Sequence, residues 1–118
     1  MGSVKSKKEI KEEYKQKVFK KGVFQIRNIK SGKIYIGSST NLDVVWNSHK
    51  FRLETGIHPD KELQIDWNES GSENFVYEIL QELKESGEPS VDYDREVRGL
   101  EALCIEELKS FGNKIYNK

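Results

Sequence analysis

Residues 22–38 read GVFQIRNIKSGKIYIGS, two short alternating runs on either side of Ser31-Gly32. Alternation over such lengths places one row of side chains on each face of a strand. Gly32 takes a positive φ without steric cost, so the two runs are predicted to close into a β-hairpin. Each run sets an aromatic residue beside a glycine, Phe24 near Gly22 and Tyr35 near Gly37. Glycine in a strand interior marks a place where another group approaches the backbone closely. A hairpin alone is marginal in water, so the rest of the chain must cover its apolar face.

The pattern then changes period. Leu42, Val45, Trp46, His49 and Leu53 fall on one helical face, which predicts a helix over residues 43–54. Asn41 is placed to cap its start, and Gly56 to stop it. A second helix follows, with Pro59 suited to its first turn, Leu63 and Trp67 one turn apart, and Gly71 at its end. ENFVYEILQ, residues 73–81, has the β-branched and aromatic character of a third strand. A polar loop at 85–90 leads to a last helix over 92–110, and Ile115-Tyr116-Asn117 follows. The order β-β-α-α-β-α predicts an α+β fold with a small, antiparallel sheet and helices around it. Ahead of it, residues 1–21 are rich in Lys and Glu, with Ile10, Tyr14 and Val18 spaced by four. They read as a charged helix or arm, leaving 22–118 as the domain proper.

Hydrophobic residues make up 35% of the 118-residue chain and charged residues 34%, so the core must be thin and its twelve aromatics important. Net charge is zero but unevenly spread: +5 over residues 1–21, +4 over 22–52 and −9 over 53–118. The first half can therefore face a polyanion. On charge alone, a basic helix resting on an acidic domain is the simpler reading. Cys104 is the single cysteine, which excludes a disulfide framework within one chain. With no run of membrane-spanning length and no signal peptide, the expected setting is intracellular and cytoplasmic, away from membranes.

Glu101 is the most informative carboxylate. On a helical wheel it lies within the apolar arc of Val97, Leu100, Cys104 and Leu108, whereas Glu96, Glu106 and Glu107 lie off it. A carboxylate turned toward a core needs a cation or a hydrogen-bonding partner. The simpler alternative puts Glu101 at the edge of the stripe, reaching water or pairing with Arg98 or Arg27. His49 also sits on an apolar face, where a histidine satisfied by one hydrogen bond is the ordinary case. His58 precedes Pro59 at a helix start, where it could cap or contact an anion. Neither histidines nor carboxylates have the spacing of a zinc site, and no phosphate-binding glycine loop or serine-nucleophile motif occurs.

Taken together, GVF (22–24), YIG (35–37), STNLDVVWNSH (39–49), GIHPDKELQIDWNESGSENFVYEIL (56–80), Glu101 and Tyr116-Asn117 resemble the GIY-YIG nuclease family in order and spacing. The resemblance covers residues 22–117. It implies a three-stranded antiparallel sheet flanked by helices, and hydrolysis of DNA phosphodiesters with one divalent metal, Mg²⁺ or Mn²⁺. It also implies that Glu101 ligates the metal and that Tyr35, His49 and Asn117 complete the catalytic set. His58, Gly22, Gly37 and position 24 would support them.

Two positions depart from the family pattern. The first tyrosine of the hairpin is Phe24, which has no hydroxyl. The arginine before the helix tryptophan is Val45, which cannot pair with a phosphate. Arg27, Lys33 and Arg52 are the candidate substitutes for that cation. Whether a chain so altered still cleaves DNA, or keeps the fold as a non-catalytic nucleic-acid-binding or protein-interaction module, stays open at this point. So short a nuclease is expected to be weakly specific or to borrow specificity from a protein partner. Its oligomeric state is not legible.

Overall fold

The hairpin forms as the sequence predicts. The computed structural model describes residues 19–84 and 91–116. The predicted arm, the loop at 85–90 and Asn117 lie outside the described residues, except that Phe19 and Lys20 lead into β1 (Lys21–Asn28). β2 (Ile34–Ser39) pairs antiparallel with β1, placing Phe24 opposite Gly37 and Ile26 opposite Tyr35. Gly32 has φ 78°, and the Asn28 side chain accepts the Lys30 amide at 3.0 Å, so the turn is stabilised from its first residue.

α1 (Leu42–Thr55), α2 (Lys61–Ser70), a short 3₁₀ turn at Ser72–Asn74, β3 (Phe75–Leu83) and α3 (Tyr93–Ser110) complete the order. The sheet runs β2-β1-β3 with both pairings antiparallel, so β1 is central and β2 is an edge. The fold is the expected α+β arrangement.

The sheet is covered on both faces. On one, Phe24, Ile26 and Phe75 pack with Leu42, Leu53, Leu63, Trp67 and Tyr116. On the other, Val23, Ile34 and Ile36 meet Leu100, Cys104, Ile105 and Leu108 of α3. Burying each such aliphatic side chain is worth about 1.5–3 kcal/mol, enough for two thin layers to hold a three-stranded sheet. The register with β3 shifts between Val23 and Phe24, two adjacent residues that serve opposite layers by strand alternation. After α3, Ile34 donates its amide to Lys114 O at 2.9 Å and accepts the Tyr116 amide at 2.8 Å. A short parallel bridge, Ile34 to Ile115, thus closes the outer edge of β2 at its start.

Two helix boundaries differ from expectation. Asp60, not Pro59, starts α2: its side chain accepts the Leu63 amide at 3.0 Å, and Pro59 stands before the cap. A side-chain cap satisfies an orphan amide, whereas proline only removes one, so the aspartate defines the boundary. Asn41 occupies the N-cap position of α1 but makes no side-chain cap bond. Its Oδ1 is buried without a hydrogen-bond partner among the described residues. Gly56 ends α1 as predicted, in the left-handed conformation at φ 80°.

Candidate active site

The site grows from β2. Alternation along this strand sends Tyr35 and Gly37 toward α1 and α2, and Ile34, Ile36 and Ser38 toward α3. Because β2 is an edge, groups from its two faces can act around its open side.

On the first face, four rings meet. The Tyr35 ring lies 5.4 Å from His49 and 5.3 Å from His58, centroid to centroid, and Phe24 lies 5.3 Å from His49. Gly37 is what lets Phe24 in: a Cβ there would come within 2.5 Å of the Phe24 Cζ. Gly22 has a related role, since a Cβ there would lie 2.0 Å from the Gln81 carbonyl oxygen. Both strand glycines of the hairpin, Gly22 and Gly37, thus serve close packing.

His49 comes from α1 and His58 from the segment after Gly56. The left-handed cap reverses the chain, and His49 Nδ1 lies 2.9 Å from His58 Nε2. They are 8% and 5% exposed. Burial, with help from neighbouring His58 and Arg52, lowers the His49 imidazole to about 4. Burial also lowers His58, and Asp60 opposes that shift. Both rings are therefore neutral near pH 7. The Tyr35 phenol is pushed above its usual value by burial first, then by the charges of Asp60 and Glu101, with Arg52 acting the other way.

On the second face, α3 presents Glu101 where the wheel placed it, half-buried beside Leu100 and Cys104. Its partner is neither Arg98 nor Arg27. The Ser38 hydroxyl donates to Glu101 Oε1 at 2.7 Å, which ties α3 to the end of β2. Ser38 was readable only as the next α3-facing position after Ile34 and Ile36. Nothing local says that α3 covers that face.

The three candidate cations separate clearly. Arg27 is paired with Glu78 at 3.1 Å, and Lys33 with Glu62. Lys33 also lies over the Tyr116 ring, 5.4 Å from its centre. Arg52 has no carboxylate partner among the described residues, and its charge reaches Tyr35, His49 and His58. Val45 packs against the apolar cluster of α1 and α2.

No group of three or more His, Cys, Asp or Glu able to hold a metal occurs among the described residues. A single carboxylate can hold a hard cation such as Mg²⁺ when water and substrate oxygens complete its shell. Glu101 keeps Oε2 unpaired among the described residues for such a contact.

The GIY-YIG catalytic domain model matches residues 20–115, and this chain belongs to that family. It is 36% identical over 64 residues to intron-associated endonuclease 1 of enterobacteria phage T4. That match takes in 54% of this chain and 26% of the phage protein, so the chain spans about a quarter of the relative's length. The solved catalytic domain of the homing endonuclease I-TevI is 30% identical with a TM-score of 0.64, covering 80% of this chain and 94% of that one. A glutamate-to-alanine variant of that catalytic domain superposes with a TM-score of 0.66 at 29% identity, covering 81% of this chain and 91% of its own. No helix among the described residues is long and apolar enough to cross a membrane.

Proposed function

We propose that the domain hydrolyses DNA phosphodiesters with a divalent cation, Mg²⁺ or Mn²⁺, held at Glu101. The observation that supports this most is that the Tyr35, His49 and His58 rings and a carboxylate from α3 meet the same edge strand from its two faces, with the charge of Arg52, which has no carboxylate partner among the described residues, reaching the rings. A bound cation would polarise a phosphoryl oxygen. Tyr35 stays protonated at neutral pH, so its hydroxyl acts as a hydrogen-bond donor toward the substrate. His49 assists from α1, and Asn117 supports the site. Arg52 stands in for the arginine lost at Val45, because Arg27 and Lys33 are already neutralised by partners. DNA is the partner, with sequence preference supplied by another segment or a second protein.

The activity is attenuated. Loss of a proton-transferring group costs about 10²–10⁴ in rate, and loss of a preorganised electrostatic donor about 10²–10³. Nicking of supercoiled plasmid should require the metal and disappear in Glu101→Ala; cleavage that survives this substitution would remove the proposed ligand.

A second reading is favoured by one observation: Phe24, 1% exposed, and Val45 are both built into the apolar layer where the family pattern has polar groups. The domain would then bind DNA without cutting it. Affinity falling steeply with salt, and no nicking with either metal, would decide for that reading.

A further inference from the structure

The two histidines are linked in one direction only. The Asp60 backbone amide donates to His58 Nδ1 at 3.0 Å. A backbone amide has a proton to give and no lone pair to offer, so His58 Nδ1 must be the acceptor nitrogen of its ring. A neutral imidazole has one N–H, which on His58 is then at Nε2. That nitrogen faces His49 Nδ1 at 2.9 Å and donates to it. His49 Nδ1 is thereby an acceptor, and its own proton sits on Nε2.

Buried contacts from α2 hold the array. The His58 amide donates to Gln64 Oε1 at 3.1 Å, and Gln64 Nε2 donates to Leu53 O of α1 at 2.8 Å. Asp60 is fixed in turn by its cap bond to Leu63. The direction of every bond traces back to a main-chain amide that cannot reverse. A histidine pair on an open surface would lack such an anchor and could exchange tautomers.

We propose that His58 is a positioning residue that locks His49 in the Nε2–H tautomer, so that His49 serves the site as a hydrogen-bond donor with no free lone pair to take a proton. The lock follows from the hydrogen bonds alone; the donor role rests on the nuclease reading above. It assigns to His49 a partner that accepts, such as a phosphate, water or tyrosine oxygen, and it excludes His49 as the general base.

Long-range ¹H–¹⁵N correlation spectra of the uniformly ¹⁵N-labelled protein near neutral pH read each tautomer directly. The expected result is Nε2–H for both rings, each as a single tautomer. An Nδ1–H His49, or an averaged mixture, overturns the proposal whether or not the protein cuts DNA. Two variants extend the test. His58→Gln can still donate through its amide and should leave His49 as Nε2–H. His58→Glu can only accept and should place a proton on His49 Nδ1. A folded His58→Glu protein whose His49 Nδ1 carries no proton would also overturn the lock.

Discussion

Phe24 and Gly37 face each other across the β1–β2 register, and each explains the other. The ring needs the space of a missing Cβ, and the glycine is needed because the ring is there. Gly37→Ala should therefore cost about 1–3 kcal/mol through overpacking, read as a lowered unfolding midpoint. Shortening the ring should relieve it: in the Phe24→Leu background the same change should cost less than it does alone. Equal costs in both backgrounds would show that the ring is not what the glycine accommodates. At this scale helical phase and strand alternation placed side chains well and their partners poorly. Glu101 was legible from its helical phase, but its bond to Ser38 depended on which sheet face α3 covers. Arg27 and Lys33 looked equivalent to Arg52 until Glu78 and Glu62, remote in sequence, were seen to neutralise them.

Among elements, α1, its glycine cap and the start of α2 act as one unit around the histidine pair. That unit carries a pH dependence whose sign is fixed by the lowered imidazoles. An unfolded chain takes up a proton near pH 6.5, whereas folded His49 does so only at about 4. The unfolded state thus binds more protons between those values, and stability falls as pH drops from about 6.5 toward 4. The loss from His49 is about 3 kcal/mol across the whole window, and His58 adds to it in the same direction. Thermal unfolding between pH 6.5 and 5 isolates this effect from carboxylate protonation. A flat midpoint over that range would show that the pair is solvated. The pairing itself was hidden from local patterns, since periodicity placed His49 and a helix-start rule placed His58, and only the reversal at Gly56 brings them together. The α2 boundary was misread for a related reason. Pro59 and Asp60 are both start signals, and a side-chain cap outranks a tolerated proline.

For the whole molecule, the element order was legible because each change of period was punctuated by a glycine or a cap. What local patterns could not carry was the path after α3. Tyr116 returns to the core between the hairpin and α2: its hydroxyl donates to Asp66 Oδ2 at 2.6 Å and accepts from Asn28 Nδ2 at 3.0 Å. Burial and the Asp66 bond push its phenol up to about 12. Tyr116→Phe would strand the buried Asn28 donor and should lower stability by about 1–3 kcal/mol, measured by denaturant unfolding. No measurable change would mean that water replaces the phenol.

The Ile34–Ile115 bridge bears on how the domain comes together in time. Contacts between residues so far apart in the chain must repay the entropy of closing nearly the entire domain into a loop, which slows their formation. Synthesis runs from the N-terminus, so the strand bearing Tyr35 leaves the ribosome early, yet the residues that bridge the start of its outer edge follow only after α3. The hairpin is thus among the first parts of this domain to be made and among the last to be finished.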